Sequence, residues 1–240
     1  GGVGDNILDA SDFTGSVTLV GLDGNDTLTG GSADDQLIGR GGDDNLIGGD
    51  GADVLTGLSG SDMLDGGDGN DSLAGGNNDD TCVGGHGDDS LEGGDGDDSL
   101  TGGDGNDTLA DGSGDDTLEG GSDDDTYTLT PGSSDEVTDT AGIDHLDFTS
   151  SSAGITIDVD ATSVQAVTGT GNLQLTGVFE QVTGSGFDDS FTAASLGSAR
   201  TISGGAGTDT LTSADVANAW NLTGANAGTM AGDVAFSGLE

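Results

Sequence analysis

The sequence of 240 residues carries 46 acidic side chains against two basic ones, which gives a formal net charge of −44 at neutral pH. Such a charge excludes nucleic acid as a natural partner, because phosphate groups would be repelled. No apolar run approaches the roughly 18 residues of a membrane span, so we expect no transmembrane segment. Fifty glycines and few aromatic residues are typical of disordered chains unless a repeat imposes order.

The first 20 residues contain one irregular copy of a nine-residue phrase, GGVGDNILD at 1–9. We predict that residues 1–20 form a leading segment built on this degenerate repeat. No initiator methionine or signal peptide precedes the phrase, so we expect the chain to be part of a longer protein.

A strict nine-residue period occupies residues 21–128, where phrases such as GGDGNDTLA recur twelve times without insertion or deletion. We number the positions of each repeat as columns one to nine. Column eight is leucine in ten copies, Cys82 in one and Tyr127 in the last, whereas column six is always aspartate. The twelve column-six residues are Asp26, Asp35, Asp44, Asp53, Asp62, Asp71, Asp80, Asp89, Asp98, Asp107, Asp116 and Asp125. We predict a repeat domain over 21–128, because a fixed period with one apolar column buries that column by stacking.

The pattern G-G-x-G-x-D-x-U-x, with U apolar, resembles the RTX (repeats-in-toxin) calcium-binding nonapeptide repeats, one of the known β-helical repeats. This resemblance implies an all-β chain folded as a right-handed parallel β-roll, a form of β-helix or solenoid. It implies that the first six residues of each repeat turn and bind Ca²⁺. The last three would form a short strand whose column-eight side chain points inward, and two repeats would complete one turn of the coil.

Backbone conformation and electrostatics both support the same picture independently. Glycine at columns one, two and four permits positive φ and close backbone approach, which a tight loop needs. If alternate repeats stack, equivalent aspartates lie one strand spacing apart, roughly 4.8 Å. Each neighbouring pair would then repel by about 3.5 kcal/mol at an effective dielectric near 20. A divalent cation between successive loops removes the conflict, and hard oxygen ligands favour Ca²⁺. Twelve loops on two flanks predict about ten calcium sites at most, and a roll that is largely unfolded without calcium.

After Tyr127 the strict period breaks at TPGSSDEVT, which contains the only proline, Pro131. Degenerate copies recur at 139–147, DTAGIDHLD, and at 204–212, GGAGTDTLT, which makes Asp209 a further candidate calcium ligand. Between these copies, GITIDVD alternates apolar and polar residues as a half-buried strand does. We predict that 129–240 is a degenerate, irregular β-helical continuation of the coil.

A longer repeat is also visible. Residues 184–212 align without gaps on residues 1–29, with ten of 29 positions identical, among them Asp209 on Asp26. This internal duplication predicts a tandem architecture, which is typical of long surface proteins.

Other metal and phosphate motifs fit the sequence poorly. The twelve residues 95–106 place Leu100 where an EF-hand loop needs glycine, and Asn106 where it needs glutamate. A phosphate-binding loop needs a lysine, which the chain lacks. A zinc site made by Cys82 and His86 would require the cysteine to leave the inward column. We therefore expect Cys82 to be a buried substitute for leucine and His86 to be exposed.

The predicted function is a calcium-dependent structural module of a large secreted or cell-surface bacterial protein, without enzyme activity of its own. The RTX resemblance implies type I secretion, with the chain unfolded in calcium-poor cytosol and folded outside. Adhesins and S-layer proteins fit best because of the longer repeat, and they imply self-association in a layer or filament. Two alternatives stay open: a non-catalytic module of a secreted protease, lipase or alginate epimerase, and a polysaccharide-binding face.

Overall fold

The computed structural model describes residues 1–130, 132–161, 163, 165–167, 171–193, 201–213, 221–224 and 229–231. The strands up to residue 128 are β1 (Ile7–Asp9), β2 (Thr18–Asp23), β3 (Thr27–Thr29), β4 (Gln36–Gly41), β5 (Asn45–Asp50), β6 (Val54–Ser59), β7 (Met63–Asp68), β8 (Ser72–Asn77), β9 (Thr81–His86), β10 (Ser90–Asp95), β11 (Ser99–Asp104), β12 (Thr108–Ser113), β13 (Thr117–Ser122) and β14 (Thr126–Thr128). The later strands are β15 (Ser133–Thr138), β16 (Asp144–Asp147), β17 (Thr156–Asp158), β18 (Gln165–Val167), β19 (Gly171–Thr176), β20 (Phe179–Thr183), β21 (Ser190–Ala193), β22 (Thr201–Gly205), β23 (Thr210–Ser213), β24 (Asn221–Gly224) and β25 (Thr229–Ala231). Within these ranges, no helix has the length and apolarity needed to cross a lipid bilayer.

Consecutive strands alternate between two sheets, as a coil with two repeats per turn requires. The first sheet has the order β1-β3-β5-β7-β9-β11-β13-β15-β19-β18, and the second has the order β2-β4-β6-β8-β10-β12-β14-β16-β20-β22-β24. Residues in equivalent columns face each other across a turn, for example Leu91 beside Leu73 and Leu109. Among the described strands, only β18 runs antiparallel to a neighbour, β19. The predicted all-β, parallel β-roll is confirmed.

Strands of the regular repeats are longer than the three residues that the resemblance implies. Most span six residues, from column seven to column three of the next repeat. The ladder continues because the turn residues also stack in register, so that Gly94 pairs with Gly112 and Asp95 with Ser113. A residue of left-handed conformation at column two bends each of these strands. Glycine usually fills this position, but Arg40 adopts it with φ of 91°.

The core of the roll is the stack of column-eight side chains. Each of them, from Leu28 to Tyr127, is at most 1% exposed, and columns seven and nine point away from the stack. Cys82 is fully buried as a free thiol in register with Leu64 and Leu100, as predicted. At the end of the regular stack, the ring of Tyr127 meets that of Phe179 edge to face, with centroids 5.8 Å apart.

Beyond residue 128 the coil continues with turns of unequal length. β15 and β16 extend the two sheets, and β15 next pairs with β19 in the register Ser133 to Gly171. The residues between these strands contribute β17, which begins a third sheet of order β17-β21-β23-β25. Ile155, Ile157 and Val159 are buried at alternate positions, as the GITIDVD pattern predicts.

The described parts of residues 184–212 contain the same internal hydrogen bonds as the aligned parts of residues 1–29. The backbone N–H of Asn6 donates to Asp26 Oδ1 at 2.7 Å, and the backbone N–H of the aligned Asp189 donates to Asp209 Oδ1 at 3.0 Å. The Asn25 amide likewise donates to the carboxylate of Asp5, twenty residues earlier, a spacing that recurs between residues 208 and 188. Pro131, at the predicted break, and residues 194–200 lie outside the described residues.

Candidate functional site

The column-six aspartates immediately precede the strands of the regular roll and stack into two files, one on each flank. In each file the backbone N–H of one aspartate donates to Oδ1 of the aspartate one turn later, at 2.7 Å from Asp26 to Asp44 and from Asp53 to Asp71. The first file contains Asp26, Asp44, Asp62, Asp80, Asp98 and Asp116. The second contains Asp35, Asp53, Asp71, Asp89, Asp107 and Asp125.

The second carboxylate oxygen of these aspartates has no such partner. All twelve side chains are at most 4% exposed, yet Oδ2 accepts no hydrogen bond from the protein in eleven of them. The exception is Asp35, whose Oδ2 accepts the Gly31 amide at 2.6 Å. A buried charged oxygen without a partner is costly. A row of such oxygens fits a row of bound cations.

Column one contributes backbone oxygens to the same space. A Cβ atom added at Gly48 would overlap both Asp53 Oδ2 and the carbonyl oxygen of Gly66, one turn further on. The absence of a Cβ at Gly48 leaves this gap open beside the carboxylate. The gap is therefore bordered by a carboxylate and a carbonyl oxygen, the hard ligands that Ca²⁺ takes in flexible coordination.

Burial makes the ionised form of the files unfavourable without a cation. Loss of water contact raises the pKa of Asp80, Asp116 and Asp125 to about 7, and the neighbouring carboxylates add to this increase. The amide hydrogen bond from the preceding turn opposes it. The pKa is raised to about 6, again mainly by burial, at Asp53, Asp62, Asp71, Asp89 and Asp107. A bound divalent cation reverses the effect because it stabilises the charged form.

The thirteenth candidate, Asp209, lies apart from the two files. It is half-buried before β23, and its Oδ1 accepts the amide of Asp189. Asp189 itself is buried, but Ser185 donates to both of its carboxylate oxygens and Ile155 donates to Oδ1. Asp209 thus follows Asp189 in a shorter stack beside the third sheet.

Each file extends one turn further than the strict period predicts. The Asp116 amide donates to Asp135 and the Asp125 amide donates to Asp144. The strict period does not predict Asp135 as a ligand, because Leu129 is one extra residue. After it, TPGSSDEVT reads as a repeat with aspartate at column six. Two further buried aspartates, Asp111 and Asp139, stand at column one in place of glycine. The replacement of glycine by aspartate at column one is the sequence feature that could have identified them.

Column five has a structural role that the sequence did not indicate. Its Asp and Asn side chains accept backbone N–H groups of column five one turn later, as Asp43 does from Ser61 at 3.0 Å. These hydrogen bonds hold successive loops in register.

The cysteine and the histidines form no metal site with one another. Burial raises the pKa of the Cys82 thiol to about 12, which keeps it protonated in the core. His86 is exposed, and its Nδ1 lies 2.9 Å from Asp104 Oδ2. The Nε2 atom of His145 lies 2.8 Å from the Thr183 hydroxyl.

Stacked turns with a carboxylate and a carbonyl oxygen at each step define a calcium-binding parallel β-roll. A family model of the RTX calcium-binding nonapeptide repeat, four copies long, matches residues 18–46, 47–82, 56–91, 74–109, 83–117, 101–133 and 201–215. These matches cover more than half of the chain, which therefore belongs to the RTX calcium-binding nonapeptide-repeat family. Its cofactor is Ca²⁺. No curated protein matches the chain.

Proposed function

We propose that this chain is a calcium-dependent structural module of a large secreted or cell-surface bacterial protein, of the adhesin or S-layer type. It is unfolded where calcium is scarce and folds on export. The ligands are the twelve column-six aspartates together with Asp209, and the regular roll takes about ten ions. The supporting observation is the run of eleven buried Oδ2 atoms without a hydrogen-bond partner.

Calcium drives folding in this proposal because the apolar core is thin. Each turn of the roll buries only two column-eight side chains, while it orders 18 residues that are rich in glycine. Ordering a residue costs about 1–2 kcal/mol of backbone entropy, and glycine costs the most. Metal binding supplies the difference, because no preformed site exists in the open chain.

The surface-protein assignment rests on the duplication of residues 1–29 at 184–212. Both copies use the same pair of amide-to-carboxylate hydrogen bonds across a step of twenty residues. A second start of the same architecture within one chain favours a tandem array. In such an array the rolls are rigid spacers, and calcium sets their stiffness.

A calcium titration tests the proposed function. Far-ultraviolet circular dichroism of the full chain should change cooperatively from coil to β-structure at about 0.1–1 mM calcium, the range of extracellular modules. Magnesium at the same concentrations is the control. It should not substitute, because it demands a smaller, octahedral set of ligands. A spectrum that shows β-structure at neutral pH before calcium is added would contradict the proposal.

A further inference from the structure

Each file of aspartates ends in a group of three buried carboxylates. The first group is Asp111, Asp116 and Asp135, and the second is Asp125, Asp139 and Asp144. Within each group, one carboxylate oxygen from every member lies within 4.8 Å of the others. Every group combines the last two aspartates of a file with one aspartate from column one, a position that is glycine in eleven of the twelve regular repeats.

In the first group, Asp111 occupies the position of the column-one glycine and is fully buried. Its Oδ1 accepts the amides of Gly112 and Thr130, at 2.6 and 2.8 Å, and its Oδ2 also accepts the Thr130 amide, at 2.9 Å. Asp135 Oδ1 accepts the Asp116 amide, and its Oδ2 accepts the Ser133 hydroxyl at 3.1 Å. Asp116 Oδ2 has no partner, although this side chain is only 1% exposed.

The second group repeats this arrangement on the opposite flank. Asp139 occupies column one of its repeat, and the hydroxyl of Tyr127 donates to its Oδ2. Asp144 Oδ1 accepts the Asp125 amide at 3.1 Å. Asp125 Oδ2 is again buried without a partner. A cleft of about 210 Å³, lined in part by Asp139, Asp144 and Glu180, lies beside the group.

Three buried carboxylates this close cannot all remain ionised without a counter-ion. In the repeats each carboxylate is shared by the gaps above and below it, so little more than one negative charge serves each cation. The column-one carboxylates belong to no file, so they add undivided charge to the last gap. Calcium affinity rises with the number of charged ligands and with site rigidity, and the amide hydrogen bonds to Asp111 hold it rigidly.

We infer that the two triads are high-affinity calcium sites that differ from the repeat gaps and fill before them. This inference deepens the proposed function and rests on calcium as the ion that the roll takes. The distinguishing residues are Asp111 and Asp139, which break the nonapeptide pattern and therefore lie outside the ligands that the repeat itself provides.

Substitution of these two residues by glycine separates the triads from the fold. Asp111→Gly and Asp139→Gly restore the residue that the repeat carries elsewhere, so both variants keep a sequence that can form the roll. Asp68→Asn is the matched control, because Asp68 is exposed at column three of a middle turn and the substitution removes one charge. Circular dichroism at saturating calcium verifies that each variant folds.

Equilibrium dialysis of the full chain against graded calcium concentrations counts the ions. The unaltered chain should bind two equivalents at least tenfold more tightly than the remainder. Either glycine variant should lose one of these equivalents, the double variant should lose both, and Asp68→Asn should retain both. A single class of sites in the unaltered chain, or two tight equivalents in the double variant, would overturn the inference.

Terbium luminescence gives a readout local to the second triad, because Tyr127 is the only tyrosine and its hydroxyl contacts Asp139. In a Trp220→Phe background, which removes the only tryptophan, Tb³⁺ should emit on excitation of the tyrosine within the first equivalents added. Asp139→Gly should abolish that early emission, whereas Asp111→Gly should preserve it. Calcium-induced folding without early emission would overturn the second site and leave the proposed function standing. No calcium response at all would remove both.

Discussion

Because the two files of aspartates are buried, we predict that protonation of their carboxylates can stabilise the roll in part when calcium is absent. In the folded roll the pKa of eight column-six carboxylates lies at about 6 or 7, among them Asp71 at about 6 and Asp80 at about 7. In the unfolded chain the same groups return to their ordinary value near 3.8. The metal-free fold therefore binds more protons than the coil between these values. The stability that these groups contribute is fully present below about pH 3.8 and is lost as the pH rises through 6 to 7.

The magnitude follows from linkage. When the pH is lowered from 7 to 5, each carboxylate whose pKa rises from 3.8 to about 6 or 7 on folding increases the stability of the metal-free roll by about 1–2 kcal/mol. Eight independent groups would contribute somewhat more than 10 kcal/mol by this arithmetic. Neighbouring carboxylates titrate together and solvent screens them, which reduces the sum to roughly 5–10 kcal/mol. That is comparable to the whole stability of an ordinary domain.

The assay is far-ultraviolet circular dichroism of the chelated chain from pH 7 to pH 5, which stays above the isoelectric point near 4.1. We expect β-structure to increase as the pH falls without calcium. The calcium-saturated chain is the control, and it should respond in the opposite direction, because protons compete with the metal for the same oxygens. A chelated chain whose spectrum stays that of a coil, or loses structure towards pH 5, would refute the electrostatic reasoning.

Three further predictions address the file, the core and the thiol. Asp71→Asn should remove one or two bound calcium ions in calorimetric titration, because its carboxylate borders two gaps, while Asp68→Asn on the same turn should leave the count unchanged. Leu73→Ala should cost about 2–5 kcal/mol in urea unfolding at saturating calcium, against less than about 0.5 kcal/mol for the exposed Ser72→Ala; equal losses would contradict the single-column core. Cys82 should resist thiol reagents in calcium and react after chelation, and rapid labelling in calcium would show that the stack is open.

The regular roll was predictable because two columns provide its main stabilising features, the calcium ligands and the apolar core. Aspartate at column six and an apolar side chain at column eight recur in phase, so one turn predicts the next. The six-residue strands were not predictable from that pattern. They arise because the turns stack in register, which extends the ladder through Gly94 and Gly112. This effect depends on the neighbouring turn and leaves no mark in a single repeat.

The ends of the files were harder to predict because the period slips there. One extra residue, Leu129, moves Asp135 and Val137 out of phase, although both occupy regular places in the fold, where Val137 pairs with Leu118. The long step from Ser133 to Gly171 contains β16 of the second sheet and β17 of the third. No local sequence pattern indicates which distant strand continues a ladder after such an interruption.

Small-angle X-ray scattering of the chain before and after chelation is the most direct measurement of whether calcium holds the coil together. A compact chain of 240 residues has a radius of gyration of about 18 Å, and an unfolded one about 54 Å. At neutral pH we predict that excess chelator more than doubles the radius, and that added calcium restores it. A radius that stays the same after calcium is removed would show that the stacked aspartates need no metal, which would contradict the central claim.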